Sequence, residues 1–325
     1  MRLLITITGI LILSQSLIYA QTDNISQKVY AHISDAEKYS VQINKNDLEQ
    51  IVTTLCSPEF EGRRFGSDGN IKAMEYVISE LEKRNISKSN GNMYEQFFRD
   101  DEKYGTNIIG IIEGDLYPDE SVVITCHYDG LGTVDGTLFP SADDNATGVA
   151  ALIEIAGAFS AAASGGIRPK RSVIFIAFDA GKHQMTGSKI YARYPVKPAD
   201  KTQILLNMDM MGRDDCGLKA NEHNYVFLLG HDKTSPLSQI IDSINAIHTH
   251  LKIEHDFYKN QQVFDLFYPT SDHHNFNGKV PLIFYTGGIN ADVHSQHDSH
   301  DKISYTTLRN RALLVYYTAW TYANR

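Results

Sequence analysis

The chain has 325 residues, 42% of them hydrophobic and 10% aromatic, with a formal net charge of −9. Such a length and composition suit one large α/β domain or two smaller ones. The acidic balance, with no block of like charge, argues against a nucleic-acid partner, which needs a clustered basic face, and against a basic helix lying on a membrane.

In chain order, residues 1–20 stand apart. Arg2 supplies a positive start, Leu3–Leu17 is nearly all apolar, and Ile18-Tyr19-Ala20 offers a cleavage point before Gln21. This is the layout of a secretory signal peptide, too short and weakly flanked for a lasting membrane span; an uncleaved anchor is the alternative. The expected location is secreted or periplasmic, with no stable membrane span after removal. Residues 21–45 read as an N-terminal extension and 46–325 as a single domain.

Asn24–Lys38 is polar with some helical pattern, and Asn46–Cys56 reads as a capped amphipathic helix. Ser57–Asn70 (SPEFEGRRFGSDGN) is a glycine-rich connector, and helical periodicity returns over Ile71–Arg84. Strands are expected at Thr106–Ile112, Ser121–Cys126, Arg171–Ala177, Gln203–Met208, Tyr225–Leu229 and Pro281–Tyr285. Most are uninterrupted apolar runs, the pattern of strands covered on both faces. Helices at Thr147–Ala162, Ser235–His250 and Ile303–Asn324 would cover them, and Ser160–Gly166 (SAAASGG) reads as a loop. The expected fold class is α/β, a three-layer α/β/α sandwich on a mixed, mainly parallel sheet. The three cysteines, Cys56, Cys126 and Cys216, are too sparse for a disulfide framework. Cys126 reads as a core residue, a Cys56–Cys216 bridge stays open, and there is no Cys/His zinc spacing.

Open parallel sheets bind ligands beyond the carboxyl ends of their strands. His127 and Asp129 follow one expected strand, Asp209 follows another, and His294 lies in the loop TGGINADVHSQHDSHD after a third. Asp143 and Asp144 stand just ahead of a helix. Each has a plain reading: a hydrogen-bonded histidine, a strand-end turn, a solvated loop, a helix cap. Together, two carboxylates and two imidazoles at one sheet edge make a donor set suited to zinc.

The segments LCSPEFEGRRFGSDGN, NIIGIIEGD, HYDGLG, PSADDNATGVAALIEIA, FIAFDAGKHQMTGS, LNMDMMGR, SDHHNF and FYTGG…DVHSQHDSHDKI run in order from about Leu55 to Ile303. They resemble the secreted di-zinc aminopeptidases, a zinc-exopeptidase family that includes glutamate carboxypeptidase-like enzymes and, more distantly, glutaminyl cyclases. The resemblance implies a zinc cofactor and a peptide or amino-acid ligand. It implies His127 as a ligand of the first zinc, Asp129 as the carboxylate orienting it, and Asp144 as the bridge between two metals. Asp209 is then the remaining ligand of the first zinc and His294 the imidazole of the second.

Where that family carries two consecutive glutamates, a general base and a ligand of the second zinc, this chain has Gly181 and Lys182. Loss of a general base typically removes about 10²–10⁴-fold in rate. A protonated lysine has donors and no lone pair to offer a metal. Val293 stands where a tyrosine often steadies the tetrahedral intermediate, and one lost donor of that kind costs about 10²–10³-fold. The sequence therefore predicts a peptidase with impaired or lost activity, holding one zinc on His127, Asp144 and Asp209, with the Lys182 ammonium in place of a second. In one alternative, an active aminopeptidase uses a substitute group at this corner, Lys182, His183 or Asp179, with two zincs if the site is intact. In another, the chain is a metal-free interaction module. Pocket walls are expected from Leu218–His223 and Tyr258–Asp272.

Overall fold

The computed structural model describes residues 33–89, 91–217, 223–255 and 260–325. The segment read as a signal peptide lies outside them, as do residues 218–222 and Tyr258–Lys259 of the expected pocket walls. The strands are β1 (Ser87–Lys88), β2 (Glu95–Asp100), β3 (Lys103–Ile112), β4 (Tyr117–His127), β5 (Gly132–Val134), β6 (Thr137–Phe139), β7 (Arg171–Phe178), β8 (Thr202–Met208), β9 (Tyr225–Leu229), β10 (Lys252–Glu254) and β11 (Leu282–Thr286). The helices are α1 (Ile33–Ser40), α2 (Lys45–Leu55), α3 (Asp68–Lys83), α4 (Thr147–Ser164), α5 (Thr186–Arg193), α6 (Pro236–His248), α7 (Gln261–Phe267) and α8 (Tyr305–Asn324).

Nine strands form one sheet in the order β1-β3-β7-β4-β8-β11-β9-β10, with β2 also paired to β3; β5 and β6 make a separate hairpin. The central strands β7, β4, β8 and β11 are parallel, while β3 and β9 flank them antiparallel. Alternation within the buried runs feeds two cores. Val122, Ile124 and Cys126 face the layer of α1–α4, α6 and α8. Val123, Ile174 and Ile176 face α5 and the turn at Phe276. The result is the three-layer sandwich with a mixed sheet that the apolar runs predict. Among the described residues, the stretch Ala142–Ser164 is the one helix long and apolar enough to cross a membrane. Here 83% of its apolar window is buried, as befits a helix packed on all sides.

Several expectations need correction. Ser160–Gly166 is not a loop: α4 runs through Ser164, because alanines favour helix, and stops only at Gly165, with Gly166 at positive φ. α3 begins at Asp68, capped by the Ser67 side chain on the Asn70 N–H, inside the stretch read as connector. The strand β2 (EQFFRD) was hidden by its charged ends, and α5 is too short to show a period. Cys56 and Cys216 do not pair: Cys56 is buried beneath Arg63 and Cys216 is exposed beyond β8.

Candidate metal centre

Because β4, β7 and β8 are parallel neighbours, their C-terminal ends share one edge. His127 ends β4, Asp209 follows β8, and Gly181-Lys182 lie in the turn after β7. Asp144 reaches the same edge from the irregular turn Ala142–Ala146 ahead of α4. That turn is held from outside. The Asp298 carboxylate accepts the N–H of Asp143 at 3.0 Å and of Asp144 at 3.1 Å. The Asn145 side-chain amide donates to Met208 O at 2.9 Å, tying the turn to the end of β8. Arg63, fully buried, donates to Tyr128 O at 3.0 Å and Ser141 O at 2.8 Å, linking the residue after His127 to the start of the turn.

His127 Nε2 lies 3.4 Å from Asp144 Oδ1 and 3.6 Å from Asp209 Oδ1. One donor atom from each of the three falls within 4.8 Å of the others, and all three residues are buried. Asp209 Oδ2 accepts from Ser271 Oγ at 2.7 Å, but its Oδ1 accepts no hydrogen bond. Asp144 Oδ1 also lacks one of proper angle, although the Lys182 ammonium is 2.5 Å away. Burial alone would lower the His127 pKa, but Asp209 and hydrogen bonds with Asp129 and Asp144 outweigh it and hold it well above its ordinary value. Burial likewise works to raise Asp144, and the Lys182 charge overrides it, leaving the carboxyl well below the usual range.

Asp129 sits beneath His127, though not in the way expected. The nearest acceptor to His127 Nδ1 is the Asp129 backbone carbonyl at 3.1 Å, with its carboxylate at 3.4 Å. The carboxylate instead accepts the N–H groups of Gly181 at 2.7 Å and Lys182 at 2.9 Å, so it anchors the corner.

At that corner the Lys182 Nζ donates to Asp144 at 2.5 Å and stands 3.5 Å from His294 Nε2. His294 Nε2 is 3.1 Å from Asp144 Oδ2, and its side chain is 60% exposed. His294 is outside the compact group of three. The space at Gly181 is closed: a Cβ there would meet His127 Cγ at 2.6 Å and Cβ at 2.7 Å. Of the expected substitutes, Lys182 reaches the group, while His183 and Asp179 do not turn toward it. His183 stacks on Phe65 at 5.2 Å and has Nε2 3.4 Å from Asp100 Oδ2. Asp179 is buried and accepts from Asn70, Ala180 and Thr106. Of the expected walls, Val263, Leu266, Phe267, Thr270 and Ser271 line a cavity beside Lys182, together with Val293.

Residues 107–319 match the family model described as Peptidase family M28. The chain belongs to peptidase family M28. Among solved structures, the Legionella pneumophila LapA aminopeptidase superposes with a TM-score of 0.71 at 19% identity, covering 92% of this chain and 76% of that one. The Porphyromonas gingivalis glutaminyl cyclase gives 0.66 at 16% identity, covering 85% of this chain and 97% of that one. Human transferrin receptor protein 2 is 42% identical over 82 residues, which is 25% of this chain and 9% of that protein's length. Proteins named as aminopeptidase, cyclase and receptor are thus similar to this chain, and the site must decide among such roles.

The donor atoms suit the zinc of this family. One imidazole nitrogen and two carboxylate oxygens, the oxygens buried without a hydrogen-bond partner, fit the N and O ligands zinc prefers. Lys182 Nζ stands 2.5 Å from the same Asp144 carboxylate, so an ammonium shares this edge of the group.

Proposed function

We propose that this M28 chain is a secreted or periplasmic zinc protein. It holds one zinc on His127, Asp144 and Asp209, has lost most or all peptidase activity, and binds a peptide or amino-acid ligand at the site. The observation that carries this reading is the Lys182 ammonium 2.5 Å from Asp144. A fixed cation there compensates Asp144 in the way a second metal would, yet offers no ligand-exchange site. When bound, zinc supplies Lewis-acid polarisation of a carbonyl oxygen. What this chain lacks is the proton acceptor beside it: Gly181 has none, Lys182 is engaged by Asp144, His183 faces Asp100 and Phe65, and Asp179 is occupied by three donors. Val293 adds no hydroxyl to steady developing charge. The apolar leader-like segment at residues 1–20 supports export.

The test is metal content of the zinc-equilibrated chain, with aminoacyl-anilides assayed on the same sample. About one zinc per chain without turnover is expected. Two zincs with chelator-sensitive turnover would overturn the reading. Lys182→Glu is expected to raise uptake to about two per chain, since it replaces the repelling cation with an oxygen ligand. Restoring glutamate at 181 is a different matter, because His127 would have to move first.

A further inference from the structure

Two cavities meet at Lys182. The larger, about 510 Å³, lies beside the metal group and is walled mainly by Met210, Val263, Phe267, Phe284, Ile289 and Val293. Its polar lining is Lys182, His294, Thr270, Ser271 and the carboxylates of Asp144 and Asp209. The smaller, about 390 Å³, opens on the other side of Lys182 among Arg64, Lys103, Phe65, Leu131 and Phe139. Lys103 Nζ is carried 5.7 Å over the Phe65 ring, which keeps this wall basic. Asp129, the carboxylate among the residues lining it, has both oxygens occupied by the Gly181 and Lys182 N–H groups.

With a metal on the facing oxygens of Asp144 and Asp209, the cationic groups lining the two cavities are the Lys182 and Lys103 ammoniums and the Arg64 guanidinium, with the His294 and His183 imidazoles beside them. A free amino terminus arriving there is a cation among cations. A carboxylate is attracted, and a neutral amide can accept from Lys182. The adjoining cavity is in the size range of small-ligand pockets, with walls suited to an apolar side chain.

We propose that this chain binds N-acylated apolar amino acids that keep a free carboxylate. The apolar side chain enters the larger cavity, and the carboxylate lies on the side of Lys182, Lys103 and Arg64. The blocked amino group is what lets the ligand sit against Lys182. The inference rests on the single-zinc reading.

The test uses the zinc-equilibrated chain and four related probes in calorimetric titrations: N-acetyl-L-leucine, L-leucine, L-leucinamide and N-acetyl-L-leucinamide. N-acetyl-L-leucine is expected to bind most tightly and L-leucinamide, cationic and without a carboxylate, most weakly. Arg64 and Lys103 are exposed, so Arg64→Glu/Lys103→Glu should fold normally. It should weaken N-acetyl-L-leucine about tenfold or more by placing like charges together, and leave N-acetyl-L-leucinamide unchanged. L-leucinamide binding as well as the acylated acid, or no binding by any probe, overturns the proposal. Equal effects of the double variant on both acylated probes overturn the placement of the carboxylate. Metal counted on the same sample separates the two readings. About one zinc with leucinamide preferred sinks the ligand class alone, and two zincs with N-acetyl-L-leucine preferred sinks the single-zinc reading alone.

Discussion

The two sides of the candidate metal group are built differently. On one side, His127, Asp144 and Asp209 belong to the architecture as much as to the chemistry. His127 is the last residue of a central strand, and Asp209 is locked by Ser271. The turn carrying Asp144 is gripped by Asp298, and Asn145 ties it to β8. On the other side, the corner after β7 contributes its backbone N–H groups to Asp129, and only the Lys182 side chain reaches the group. A side chain projecting from such a turn carries chemistry with little structural duty. It can be exchanged at small cost to the fold, whereas the same exchange on the strand side disturbs both.

Substitutions on each side test that contrast. The largest effect is expected from Asp209→Asn, which replaces one of the two ligand carboxylates with a neutral amide. Zinc affinity should fall by more than about 100-fold, beyond what losing a supporting hydrogen bond costs, as read by competition with a chelator. A fall of tenfold or less would break the comparison. Next comes Gly181→Ala, at the corner but in contact with the other side. Its Cβ would sit 2.6 Å from His127 Cγ, so the imidazole must shift. About tenfold in zinc affinity and about 1–3 kcal/mol in unfolding free energy are expected, from metal titration and denaturant melts. No change would mean that His127 has room the contrast denies it.

A third test concerns charge under the corner. Burial first, and then the charge of Asp129, raises the Asp179 carboxyl to about 7. The folded chain therefore holds this proton more tightly than the unfolded one. Its stabilising effect is complete below the ordinary carboxylate range and is lost as pH rises through about 7. The thermal midpoint should fall across that window, and Asp179→Asn should flatten the slope. The smallest effect is expected from His183→Gln: unchanged zinc content and stability within about 0.5 kcal/mol, because the ring faces Asp100 and Phe65. Loss of zinc in this variant would return His183 to the ligand set.

Much of the candidate site was legible before any coordinates. His127 and Asp209 stand at the ends of apolar runs, where a parallel sheet presents its ligands. Asp144 and the Gly181-Lys182 departure follow from motif resemblance. Other residues gave no such signal. Arg63 and Arg311, both fully buried, donate to backbone carbonyls such as Tyr128 O and Tyr225 O, partners far away in the chain. Asp298 looked like one more polar residue of a histidine-rich loop, yet its carboxylate bonds to a backbone 154 residues earlier.

By itself, then, the sequence determined the layers and the edge on which chemistry collects. Strand burial and helix period are local patterns, and parallel pairing of buried strands aligns their ends. Only the tertiary structure decided which donors come within reach of one ion and where the Lys182 ammonium points. It also decided that His127 already fills the space beside Gly181. Those outcomes depend on how turns from distant parts of the chain pack against one another, and no local pattern encodes that distance.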